Sequence, residues 1–235
     1  MTPSIAVLGL GAMGLPMARH LASSFAVRSY DIDPGRCAAA GDFSTACSTA
    51  QQAATGSDIA LLAVRNRVQL AEVLWGSDGV VPVLTAGSVI LLTSTVGIDV
   101  VREVAGQLSE QGMLLVDAPV SGGPVRAGQG DLLVTVGADD TAYAKALPVL
   151  KAMASTLKRV GSRPGDGQCM KTVNQLLWGP YRRGSRGPGT GESSGPGPAA
   201  ALDTLSLDPW TDSWSFGGSN SEVPSGTRES GVSTS

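Results

Sequence analysis

Three groups of residues in this chain have types and spacings that could do chemistry. Gly9, Gly11 and Gly14 stand in GxGxxG spacing within IAVLGLGAMGLPMA, after an apolar run and ahead of a helical pattern. In that context the first glycine permits a tight turn and the second lets the backbone approach a pyrophosphate. The third lets helix and strand pack closely. The whole loop, Gly9, Leu10, Gly11, Ala12, Met13 and Gly14, would then turn free N–H groups towards phosphates at a helix start. Asp31 lies 22 residues after Gly9 at the end of the next apolar run, where a carboxylate would accept hydrogen bonds from an adenosine ribose. A carboxylate there repels a 2′-phosphate, and Ile32 follows it where an arginine would welcome one. NAD is therefore expected over NADP, with Arg28 and Arg36 the nearby residues that weigh against it.

The second group sits in DAPVSGGPVRAGQGD, residues 117–131. Ser121 with the amides of Gly122 and Gly123 makes a small nest of donors suited to a carboxylate, and the same residues would also suit an ordinary turn. The third group is Lys171, Asn174 and Gln175, spaced i, i+3 and i+4 on one helix face beside an apolar stripe of Met170, Val173 and Leu177. Such a lysine could carry a proton in catalysis or simply be solvated.

These residues need elements to hold them. The runs Ile5–Leu10, Phe25–Ile32, Ile59–Val64, Val89–Thr93, Met113–Val116 and Leu132–Val136 read as strands. Helical spacing fills residues 12–23, Cys37–Ala54, Val68–Trp75, Val100–Gln111, Asp140–Met153 and the stretch from Asp166 to Trp178. Strand alternating with helix predicts an α/β fold, a Rossmann-type doubly wound parallel sheet covered on both faces. The sheet region should end at Val160. From Pro180 onward the pattern is lost: more than half of residues 180–235 are Gly, Pro, Ser or Thr, a composition that buries too little surface to offset its ordering entropy. The expected organisation is an NAD-binding domain over 1–163, the start of an interdomain helix over 164–179, and a disordered low-complexity tail over 180–235. In that tail Trp210, Trp214 and Phe216 are the only residues equipped to dock onto anything.

Composition excludes several function classes. A net charge of −3 offers no electrostatic case for nucleic acid. One histidine, His20, and three widely spaced cysteines, Cys37, Cys47 and Cys169, offer no metal site. No apolar run reaches membrane-spanning length and no basic leader precedes residues 4–10. A reduced, soluble, cytoplasmic protein without a membrane partner is expected.

GLGAMGLPMA, DAPVSGGPVRAGQGDL and GDGQCMKTVNQLL occur in the order and at the separations of the β-hydroxyacid dehydrogenases. Over about residues 4–179 the chain resembles the 3-hydroxyisobutyrate dehydrogenase family, with threonate dehydrogenase, tartronate semialdehyde reductase and 6-phosphogluconate dehydrogenase among the relatives. The resemblance implies an NAD-dependent oxidoreductase acting on a small 3-hydroxy acid of the threonate, glycerate or hydroxyisobutyrate kind. It implies that Lys171 is the catalytic general acid and base, and that Ser121, Gly122 and Gly123 hold the substrate carboxylate. Asn174 and Gln175 fall where the family places substrate-binding amides, Gln175 standing where many members carry asparagine. Thr95, in LLTSTVG, falls near the nicotinamide half of the cofactor. Val64 and Arg65 fall in a loop over the cofactor where the family commonly has Leu-Pro or a similar pair.

The resemblance also implies a helical C-terminal domain that closes the active site and builds a homo-oligomer. The match stops near Gly179, so that domain is expected to be missing or replaced, and the oligomer contacts with it. An open pocket would return Lys171 towards an ordinary pKa and leave NAD binding with weak turnover. The alternative is a non-catalytic nucleotide-binding module, which would have no need of Lys171.

Overall fold

The structure, a computed structural model, describes residues 2–184. The chain runs β1 (Ile5–Leu8), α1 (Gly14–Leu21), β2 (Val27–Tyr30), α2 (Pro34–Ala40), β3 (Thr45–Ala46), α3 (Ala50–Ala54), β4 (Ile59–Leu62) and α4 (Arg67–Trp75). It continues through β5 (Val89–Leu92), α5 (Ile98–Glu110), β6 (Leu114–Asp117), β7 (Val120–Ser121), α6 (Gly123–Gly128), β8 (Leu132–Gly137), α7 (Asp140–Met153), β9 (Ala154–Gly161) and α8 (Asp166–Gly184).

Six strands pair in the parallel order β3-β2-β1-β4-β5-β6. Every residue of β1, β4 and β5 is buried, as expected for a parallel sheet covered on both faces. Side chains alternate between those faces. Ile5, Val7, Ile59, Leu61, Val89 and Leu91 join the core beneath α1 and α7. Ala6, Leu8, Ala60, Leu62, Ile90 and Leu92 join the opposite core with residues of α3, α4 and α5.

The sheet is not parallel throughout. β8 lies antiparallel to β6 and β7 and parallel to β9. The six-residue α6 between β7 and β8 is too short for a parallel crossover, which needs a dozen or more residues. The reading of Cys37–Ala54 as one helix is corrected to α2, a two-residue edge strand and α3. Thr45 and Ala46 pair with Arg28 and Ser29, so the backbone needs of β2 override alanine's helix propensity. Asp33 and Thr49 each accept a backbone N–H with the side chain and start the two short helices.

The last helix also differs from expectation. α8 continues to Gly184, past the Gly179–Pro180 pair where the sequence pattern ends it. The expected tail beyond it, with Trp210, Trp214 and Phe216, lies outside the described residues.

Candidate active site

The strand order reverses between β1 and β4, and ligands of such sheets bind beyond the carboxyl ends of the strands at that point. The loops there border one cleft of about 950 Å³. Gly9, Gly11, Ala12 and Met13 after β1 line it, with Asp31 after β2, Val64 and Arg65 after β4, and Thr95 after β5. Ser121, Gly122 and Gly123 line the same cleft, as do Lys171 and Gln175 of α8. Residues up to 166 positions apart in sequence thus share one wall-to-wall space.

Three expected residues do not border the cleft. Leu10 is buried, and its N–H donates to Asp31 Oδ2 at 2.6 Å. Gly14 packs where an added Cβ would overlap the Gly9 carbonyl oxygen, with Ala63 Cβ at 3.2 Å. Asn174 is half-buried, away from the lining. On a helix turning about 100° per residue, positions i+3 and i+4 fall on opposite flanks of residue i, and only the Gln175 flank meets the cleft.

The glycine loop is held from both sides. Gly9 has φ +95°, and its N–H donates to Tyr30 O at 3.0 Å. A Cβ there would stand 2.5 Å from the Ala63 carbonyl oxygen. Gly11 differs: the nearest atom to an added Cβ is Arg36 Nη1 at 3.8 Å. Asp31 braces the loop as well as facing the cleft. Its Oδ2 takes the Leu10 N–H and lies 3.5 Å from Arg36 Nη1, and its Oδ1 accepts Asp33 N–H at 2.9 Å. A carboxylate has about four acceptor sites, so capacity remains for a ribose hydroxyl.

At the other end, Lys171 Nζ donates to Ser121 Oγ at 2.6 Å and to Val120 O at 2.9 Å. Burial lowers its pKa from the ordinary lysine value, because the charged form loses hydration. The described residues alone half-bury this amine. Gly122 and Gly123 have φ +136° and +79°, a backbone region that glycine enters at no steric cost.

Three polar residues escaped the sequence reading. Asp117 and Gln168 are fully buried. Asp117 Oδ2 accepts the Gly165 and Gln168 N–H groups, each at 2.9 Å, and so caps the start of α8 from β6. Burial raises the Asp117 pKa against the opposing hydrogen bonds from Gln168, Gly165 and Gly167. Gln168 Nε2 donates to Asp117 Oδ1 at 2.7 Å and to Ser94 O at 3.1 Å, while its Oε1 accepts Val96 N–H at 3.0 Å and Gly97 N–H at 3.2 Å. Ser94 Oγ in turn accepts Val64 N–H at 2.9 Å. A carboxylate ending the apolar strand Leu114–Asp117 was the one available signal. Gln168 had none, since a glutamine three residues before a lysine reads as surface.

Residues 4–161 match the family model of the NAD binding domain of 6-phosphogluconate dehydrogenase. The L-threonate dehydrogenase of Escherichia coli O6:H1 is 34% identical over 179 residues, which cover 74% of this chain and 59% of that protein. The chain belongs to the β-hydroxyacid dehydrogenase family. It carries that family's NAD-binding Rossmann domain. The 2-(hydroxymethyl)glutarate dehydrogenase of Eubacterium barkeri is 36% identical over 177 residues, 74% of this chain and 58% of its own length. The crystal structure of 3-hydroxyisobutyrate dehydrogenase from Salmonella typhimurium superposes with a TM-score of 0.71 at 32% identity, covering 77% of this chain and 64% of that one. The chain thus spans less than two thirds of the length of these relatives. Among the described residues no helix is long and apolar enough to cross a membrane, and no cluster of potential metal ligands occurs.

The site's own features fit a dinucleotide. Gly11, Ala12 and Met13, which lead into α1, line the cleft, and no side chain caps that helix start, an arrangement suited to an anion. Gly11 keeps the approach clear.

Proposed function

We propose that this chain is an NAD-dependent oxidoreductase acting on a small 3-hydroxy acid, with Lys171 as general acid and base. The observation that carries the reading is the Lys171–Ser121 contact at 2.6 Å in the cleft that the glycine loop borders. NAD supplies the hydride acceptor when bound. The glycine loop and the start of α1 would hold its pyrophosphate, Asp31 its adenosine ribose and Thr95 its nicotinamide half, with Val64 and Arg65 in the loop over it.

The chain's residues do the rest. Ser121 with the amides of Gly122 and Gly123 binds the substrate carboxylate, and Gln175 contributes an amide beside it. The substrate hydroxyl takes its place at Lys171 Nζ. A neutral amine there accepts the hydroxyl proton during oxidation, and in reduction the ammonium returns it. The lowered pKa of Lys171 makes the neutral form accessible closer to neutral pH. Thr95 and Gln175 stand exposed on the cleft walls. Water reaching them weakens contacts to the substrate, so slow turnover is expected.

The test mixes the purified chain with NAD and a panel of threonate-, glycerate- and hydroxyisobutyrate-like acids, and follows reduced-nicotinamide absorbance. Turnover abolished by Lys171→Ala bears the reading out. Equal rates in the two proteins would remove Lys171 from the chemistry. NAD that raises the melting temperature with no turnover in either protein would make the chain a nucleotide-binding module.

A further inference from the structure

The loop that follows β5, the end of β6 and the start of α8 meet at one side chain. An amide has two N–H donors and two acceptor lone pairs, and Gln168 uses all four. Its Oε1 takes the amides of Val96 and Gly97, and its Nε2 binds Ser94 O and Asp117 Oδ1. Thr95 is therefore gripped through both of its neighbours. Through Ser94 Oγ and the Val64 N–H the restraint reaches the loop of Val64 and Arg65. Gly97 precedes α5 without a side-chain cap on that helix, and its own N–H is taken by Gln168.

We propose that Gln168 is a positioning residue that fixes the loop Ser94–Gly97, and with it Thr95, in register with Lys171 one turn further along α8. The proposal rests on the functional reading above and deepens it. Cofactor contacts and the proton carrier come from elements far apart in sequence, and productive geometry tolerates little displacement between them. Gln168 joins them from a fully buried position, and its partners divide cleanly between donors and acceptors. No other side chain of similar size can satisfy all four, so replacement leaves buried groups unpaired.

The decisive variant is Gln168→Met, which keeps length and volume and loses every hydrogen bond. Three readouts are taken: NAD affinity by calorimetry, amide exchange at Val96 and Gly97, and the Lys171 pKa by NMR of isotopically methylated lysine. Affinity is expected to weaken about tenfold, the two amides to exchange faster, and Lys171 to titrate nearer the ordinary lysine value. The control is Val149→Ala, a buried α7 position in the core beneath α1. It should lower the melting temperature and move none of the three. Gln168→Met that melts lower yet keeps NAD affinity and the Lys171 titration overturns the proposal.

If Gln168→Met does not fold, Gln168→Glu replaces it. That variant keeps an acceptor for Val96 and Gly97 but sets a second carboxyl against Asp117. Its NAD affinity should fall relative to the parent as pH rises and recover where a shared proton restores the contact. Parental affinity at every pH overturns the proposal. A parent chain that binds no NAD sinks the functional reading instead, while amide exchange and the Lys171 titration, both read without cofactor, still decide the role of Gln168.

Discussion

The three glycines of the cofactor loop occupy one motif for three different physical reasons, and substitution should separate them. At Gly9 alanine meets a backbone with φ +95° and the Ala63 carbonyl oxygen 2.5 Å from its Cβ. Backbone strain of about 1–3 kcal/mol adds to overpacking of about 1–3 kcal/mol. At Gly14 φ is not positive, and only overpacking applies, against the Gly9 carbonyl oxygen and Ala63 Cβ. That cost is about 1–3 kcal/mol. At Gly11 nothing lies nearer than 3.8 Å, and alanine restricts the unfolded chain enough to stabilise by about 0.4–1 kcal/mol. Its methyl, however, stands in the cleft, where the proposed cofactor's pyrophosphate would come close.

A domain of this size shifts its melting temperature by about 2–4 °C per kcal/mol. Gly9→Ala should then melt roughly 4–24 °C lower and Gly14→Ala roughly 2–12 °C lower, while Gly11→Ala stays at the parent value or slightly above. The NAD affinity of Gly11→Ala should nonetheless fall about tenfold or more, a loss of about 1.4 kcal/mol. Thermal melting with and without NAD, joined to calorimetric titration, reads both quantities. Gly11→Ala that destabilises as much as Gly14→Ala, or that binds NAD like the parent, would refute the assignment of this loop.

Two further outcomes follow from the buried ionisable groups. Burial depresses the Lys171 pKa, so oxidation should accelerate as pH rises through a value below the ordinary lysine one, and reduction should slow over the same interval. Lys171→Ala should cost about 10²–10⁴-fold in turnover and leave NAD affinity unchanged; a pH–rate profile flat in both directions would exclude this proton carrier. The Asp117 carboxyl has a raised pKa, burial being the largest cause. A folded state that holds the proton more tightly than the unfolded state loses stability as pH climbs. The contribution is fully present below the ordinary aspartate value and disappears as pH rises through the raised one. Asp117→Asn cannot ionise, so over that window its melting temperature should gain on the parent's, whatever the fixed offset between them. Parallel melting curves across the window would show that Asp117 is charged at no cost.

The sequence by itself determined the parts whose signal is local. Ile5–Leu8, Ile59–Leu62 and Val89–Leu92 are apolar at every position because both faces of a central parallel strand are covered. The glycine spacing is legible because a strand, a turn and a helix must follow each other within a few residues. Asp31 could be proposed from its place after the glycine loop, and Lys171 from the resemblance that its motif carries. Tertiary structure decided what depends on distant partners. Alanine-rich Cys37–Ala54 became two helices and an edge strand because β2 lay open to pairing with Thr45 and Ala46. Only the Gln175 flank of Lys171 reaches the cleft, because α8 packs against β8 and β9 in one orientation. Gln168 and Asp117 joined the site through hydrogen bonds spanning 48 to 74 residues of chain. Local pattern carries no trace of such bonds: burial of a glutamine is a property of what surrounds it, and those surroundings exist only once the sheet has formed.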